Sequence, residues 1–162
     1  MRPSCRSAAK PEHVDLGIVI VSLHVATGGA LGALTGSRLA ALALGPPLHL
    51  ACDRVPHEDI ADRRFEIRSG LFGLALLALC RGPLDPATLG AASASAPDLE
   101  HIFPRLRPHG RKLFHGGRGW HRAGGFRADV QLVLAGAIIG VLLKPPRMVR
   151  HKETVARVLR AA

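Results

Sequence analysis

The sequence predicts an all-α, membrane-associated helical bundle with a long basic loop rich in glycine and histidine. Three observations predict it. Hydrophobic residues make up 48% of the 162 residues, yet aromatics are only 4% and tyrosine is absent, so Ala, Leu and Gly carry the apolar character. Small residues of that kind let helices approach closely, as in membrane bundles. Leu16 to Ser37 runs 22 residues without Asp, Glu, Lys or Arg, long enough to cross a bilayer. No stretch of any length alternates as a half-buried strand does. The length suits one domain with a real core: a basic tail at 1–13, a single helical domain at 14–146 and a basic tail at 147–162, the last able to form an amphipathic helix.

The elements follow in order. Leu16 to about Leu34 reads as the first helix, where Gly28 and Gly32, four apart, mark a tightly packed face. Gly36, Ser37 and Arg38 break it. Leu39 to Leu44 stays apolar until Gly45-Pro46-Pro47 stops it, and the prolines open a new helix through LHLACDR. That helix ends near Arg54, because Val55 precedes Pro56. Residues 57–69 read as a charged loop. Leu71 to Cys80 is a short apolar helix, buried or re-entrant, since about ten residues fall short of a span. Asp85 to Leu89 is a turn-like start to a small-residue segment that ends at ASASAPDLEH. From His101 to Arg127, seven Lys/Arg residues occur with no acid among scattered Phe, Trp and Gly, and this reads as a long loop. Val130 to Leu143 is the last apolar helix.

The formal charge is +10 and the isoelectric point about 11.2. Such an excess points to anionic partners, namely a phospholipid surface, nucleic acid or a phosphorylated substrate; an Arg-rich composition without a partner gives the same figure. Both tails are basic, so the positive-inside rule places both in the cytoplasm, with Leu16–Ser37 and Val130–Leu143 as the two crossings. Cys5, Cys52 and Cys80 are far apart and odd in number. That pattern argues against a disulfide framework or a thiolate zinc knot, and the expectation is a metal held by nitrogen and oxygen.

Three clusters carry candidate chemistry. In HLACDRVPHED, His49 and Asp53 are four apart and share a helix face. His57 and Asp59 follow the proline, so this segment offers two nitrogen and two oxygen donors, a set that suits zinc or a pair of metals. A solvated turn explains the same residues. His24, in the middle of the uncharged segment, is costly there and reads as functional, or as a neutral histidine bonded to a neighbouring helix. In APDLEH, Asp98 and His101 are three apart, although Ser95-x-x-Asp98 also fits a capping box. In the third cluster, LFHGGRGWHR, His115 and His121 are flanked by glycines, and Arg111, Lys112, Arg118 and Arg122 suit a phosphate. The alternative is a flexible basic loop. GGRG lacks the pattern of a phosphate loop.

The order of these motifs resembles the small bacterial integral-membrane proteins described as metal-dependent hydrolases, and their helical relatives related to zinc-dependent phospholipase C. The similarity runs through short motifs between about residues 14 and 143; the last of them is one residue shorter here and lacks the family's hydroxyls. The resemblance implies a ligand set of His24, His49, Asp53, His57, Asp98 and His101, with Asp59 and His121 as outer members, and a divalent metal, zinc being the expected one. It implies a home in the bacterial inner membrane. The expected function is a membrane-bound metal-dependent hydrolase of a phosphoester, with Asp59 or Glu58 accepting the proton of water and the basic loop 105–122 neutralising the substrate. Two other readings stand beside it: a non-catalytic membrane protein with a structural metal, and a basic module that binds single-stranded nucleic acid through residues 101–122.

Overall fold

Why a chain with three Pro/Gly-rich interruptions nevertheless builds long helices is answered helix by helix. The computed structural model describes residues 20–58, 60–114 and 124–144. Five helices of ten residues or more carry it: α1 Val21–Thr35, α2 Arg38–Cys52, α3 Arg63–Arg81, α4 Pro86–Ser95 and α6 Ala128–Leu142; the one-turn α5, Leu99–Ile102, lies between the last two. The fold is all-α, as the composition predicts. Gly36, at φ 61°, ends α1 in the left-handed conformation, and the Ser37 hydroxyl accepts from Ala40 N to start α2.

Two expectations fail here for identifiable reasons. The break at Gly45-Pro46-Pro47 does not occur: α2 runs through both prolines. Pro46 has no N–H to give the carbonyl of Leu42, and the Ser93 hydroxyl of α4 donates to that carbonyl instead, at 2.7 Å. The charged loop at 57–69 is also shorter than expected. Asp62 caps α3 by accepting from Arg64 N at 2.9 Å and Phe65 N at 3.2 Å, so the apolar run from Leu71 belongs to a helix of 19 residues. Asp85 caps α4 in the same way, with Pro86 in its first turn.

The glycine face of α1 packs on α4. A side chain at Gly28 would collide with Gly90 and Ala94, and one at Gly32 with the backbone of Pro86. Because backbone cannot yield as a side-chain tip does, Gly32→Val is expected to destabilise by about 3 kcal/mol, the upper end for overpacking, read as the denaturation midpoint of the detergent-solubilised protein.

Helices α1, α3 and α6 start at the end of the bundle where α2 and α4 finish. At the other end Arg81 donates to Leu142 O at 3.0 Å, tying α3 to α6, and to Asp85 at 3.0 Å. Among the described residues, no helix is long and apolar enough to cross a membrane. The expected crossing at Leu16–Ser37 is described only from Ile20, with helix from Val21, and stops at Thr35; α6, at 15 residues, is about 22 Å long, short of a hydrocarbon core of about 30 Å. Residues 1–19 and 145–162, including both tails, lie outside the described residues.

The surface is nonetheless strongly apolar. Helix α6 buries only one narrow stripe, Gln131, Ala135, Ile139 and Leu142, and no charged residue follows Asp129 in it. Its other faces are left with exposed Val130, Val133, Leu134 and Val141, and Leu71, Phe72 and Leu79 of α3 are exposed too. Leu34 and Leu79 are more than four-fifths exposed, at 87% and 82%. An apolar helix buried on one stripe alone is an anomaly in water.

Candidate metal centre

The end where α1, α3 and α6 begin gathers the buried polar side chains. His24 comes from the first turn of α1, His49 and Asp53 from the last turn and cap of α2, and Asp98 from the short 3-10 turn Ala96–Asp98 after α4. His24 and His49 are fully buried, Asp53 is 1% exposed and Asp98 4%. His24 Nε2 lies 3.2 Å from Asp53 Oδ1; His49 Nε2 lies 3.3 Å from Asp53 Oδ2 and 3.6 Å from Asp98 Oδ1. The two imidazoles stack with ring centres 3.9 Å apart. One donor atom each from His24, His49 and Asp98 falls within 4.8 Å of the other two.

The proton positions follow from the partners. His49 Nδ1 lies 2.7 Å from the carbonyl oxygen of Ala94, which only accepts, so Nδ1 carries a proton and the ring is held with Nε2 pointing at Asp53 and Asp98. Nε2 and the two carboxyls thus converge on a common point, where either shared protons or a cation can sit. Backbone carbonyls that orient ligating imidazoles in this way are usual around metals. His57 is set similarly, its Nδ1 donating to Val55 O at 2.5 Å. Among the described residues His24 Nδ1 is buried without a hydrogen-bond partner. Burial first, and then the neighbouring His49, push the His24 imidazole down to about 4 against the pull of Asp53. Burial, reinforced by Asp53, Glu66 and Glu100, holds the Asp98 carboxyl well above its usual range, against the opposing charge of Arg63. A divalent ion favours neutral imidazole and ionised carboxylate alike. Two nitrogens and two carboxylates, buried and orientated, fit such an ion on the chemistry of the donors.

The capping explanation of Asp98 is overturned. Ser95 makes no forward cap; its hydroxyl donates back to Ala91 O at 2.8 Å, and Asp98 makes no cap bond to α5. His57 is buried beside the cluster and acts on His24 electrostatically. His101 sits on the far side of Asp98, where it lines a small cavity with Arg63 and Glu66, and its carbonyl accepts from Arg63 at 2.9 Å. Glu58 is exposed; its backbone N–H donates to Phe126 O, and its carboxylate acts on Arg127 electrostatically. Arg111 is exposed and Lys112 half-buried. Asp59, His115, Arg118, His121 and Arg122 lie outside the described residues. Burial pushes the Cys52 thiol up, which makes it an inert neighbour.

Sequence reasoning missed three residues that build this end. Glu66, on the first turns of α3, is buried, which the mistaken loop at 57–69 concealed. Glu100 is buried and its carboxylate accepts from Leu113 N at 2.7 Å and Phe114 N at 3.3 Å, anchoring the basic loop next to Asp98. Gln131, fully buried on α6, donates to Glu58 O at 2.9 Å and Phe126 O at 2.8 Å. It clamps residues 56–58 against 124–126, which are joined by Glu58 N to Phe126 O and Phe126 N to Pro56 O. Gln131→Leu is expected to destabilise by about 1–3 kcal/mol through the orphaned Glu58 carbonyl, measured as a shift in denaturation midpoint.

In comparisons with known proteins, no family model, no curated protein and no solved structure matches the chain.

Proposed function

We propose that the chain is a metal-dependent hydrolase of an anionic phosphoester, working at the headgroup level of the bacterial inner membrane. The observation that carries the reading is the convergence of buried donor atoms of His24, His49 and Asp98 within 4.8 Å of one another, with Asp53 against both imidazoles. When bound, a divalent ion, zinc in first place, supplies Lewis-acid activation of water and of the phosphoryl oxygen. His24, His49, Asp53 and Asp98 hold it, with His57 behind them. In the small cavity beside Asp98, with room for about one water, Glu66 is placed to accept a proton from that water, and Arg63 lines the same cavity as a positive charge. The motif order described above adds to this reading.

The exposed apolar faces of α3 and α6, with Arg63, Arg64 and Arg68 on the first turns of α3, Arg107 against Glu100 and Arg127, paired with Asp129, at the start of α6, support a seat in one leaflet with the centre facing the cytoplasm. A second reading, a structural metal without catalysis, is favoured by the near-complete burial of the four ligands. Elemental analysis of detergent-purified protein, beside hydrolysis of p-nitrophenyl phosphate, separates the two. Stoichiometric metal with turnover supports the enzyme; stoichiometric metal with no turnover on this or phospholipid esters supports the structural role; no metal rejects both.

A further inference from the structure

We infer that the cleft between α1, α3 and α6 seats one acyl chain of an anionic phospholipid whose phosphate lies at the metal end. The headgroup part of this inference rests on the phosphoester reading above; the chain part stands on the cleft itself. The cleft has a volume of about 320 Å³ and is walled by Phe72, Gly73 and Leu76 of α3 and by Leu132, Gly136 and Gly140 of α6. That volume is at the lower end of the range for a small-molecule site, roughly 300–1,000 Å³, and suits a single chain rather than a whole lipid.

Its ends decide the orientation. One end reaches Ser22, two residues before His24, and Ser69, three residues after Glu66. Exposed Arg64, Arg68 and Arg127 stand at that same end of the bundle, where an anionic headgroup belongs. From Leu132 to Leu143 the cleft follows α6 for about 16 Å at the helical rise. One leaflet of a bilayer, half of a hydrocarbon core of about 30 Å, is about 15 Å deep. Phe72, on the wall of the cleft, is exposed and carries that wall outward. A second apolar cleft, about 450 Å³ between α1 and α6, is lined by Ala30, Ala33 and Leu34 at the far half of α1, away from the centre, and is not the chain's seat.

Gly136 and Gly140 make the inference testable without breaking the fold. A side chain built at either meets nothing within 4 Å, so Leu there enters the cleft rather than the core, and it raises helix propensity. The probe is phosphatidylglycerol carrying pyrene on one acyl chain, titrated into the detergent-purified full chain, with metal content measured on the same sample. Saturable binding of one probe per chain is expected, weakened at least tenfold by Gly136→Leu/Gly140→Leu, with metal content and the affinity for glycerol 3-phosphate unchanged. Gly140→Leu alone serves if the double variant loses its metal. No saturable binding overturns the inference. So does equal binding by the variants, which would give the cleft to a second copy or to residues 145–162. Probe binding by a protein that holds no metal refutes the hydrolase reading and leaves the acyl seat standing.

Discussion

Stripping divalent metal with a chelator is expected to lower the unfolding free energy by about 4 kcal/mol where the metal stood at about a thousand times its dissociation constant. For a chain of this size that is a drop of roughly 10 °C in melting temperature, at about 2–4 °C per kcal/mol. The effect is large because the centre is buried: Asp53 and Asp98 are held in an apolar interior beside two imidazoles, and an ion compensates both carboxylates at once. His49→Ala removes the imidazole nitrogen that lies against both Asp53 and Asp98. It is expected to weaken metal affinity by more than the roughly 100-fold that loss of an outer partner of a ligand costs, and to abolish the chelator's effect on melting. Asp62→Asn, which removes an exposed acid at the same end but keeps a capping side chain, is expected to hold its metal. A melting temperature indifferent to chelation, in a protein shown to be folded, rejects the metal centre.

Much of this centre was legible, and the reason is local geometry. His49 and Asp53 meet because the i, i+4 spacing of a helix fixes them on one face, and His24 announces itself by the expense of an imidazole inside an apolar run. The partner of the Gly28 and Gly32 face was not legible, since a small-residue stripe names a close contact but not its other side. The continuity of α2 through Pro46 was illegible for a similar reason: the carbonyl that the proline orphans is satisfied by Ser93, 51 residues away. Glu66 was hidden by reading Asp62 as part of a loop, though an acid before an apolar run is a helix-start signal. Gln131 left no trace, because a lone amide in an apolar helix has no partner that spacing reveals. Of the 22-residue uncharged run, residues 20–37 are described, and there the helix runs from Val21 to Thr35 and ends at Gly36.

Asp98→Asn is expected to change stability in opposite directions with and without metal. In the metal-free protein the raised Asp98 carboxyl keeps a proton that the unfolded chain, at 3.8, gives up. Stability therefore falls as pH rises from 3.8 through the raised folded value, and an amide, which resembles the protonated acid, removes that loss. Metal-free Asp98→Asn is thus more stable than the metal-free parent at neutral pH. With metal present the order reverses, since the amide surrenders a charged ligand. The variant also isolates His24. That imidazole titrates at about 4 in the folded protein against 6.5 unfolded, so the unfolded state binds the extra proton, and stability present above pH 6.5 is lost as pH falls towards 4. The difference of about 2.5 units is worth about 3 kcal/mol. In the parent, Asp98 runs the other way above 3.8 and opposes it; in metal-free Asp98→Asn a steeper fall than in the metal-free parent is expected in urea titrations between pH 7 and pH 4. A variant less stable than the parent in chelator and in metal alike would show that Asp98 serves the fold through a contact of its own, and that the acceptors at this end need no cation.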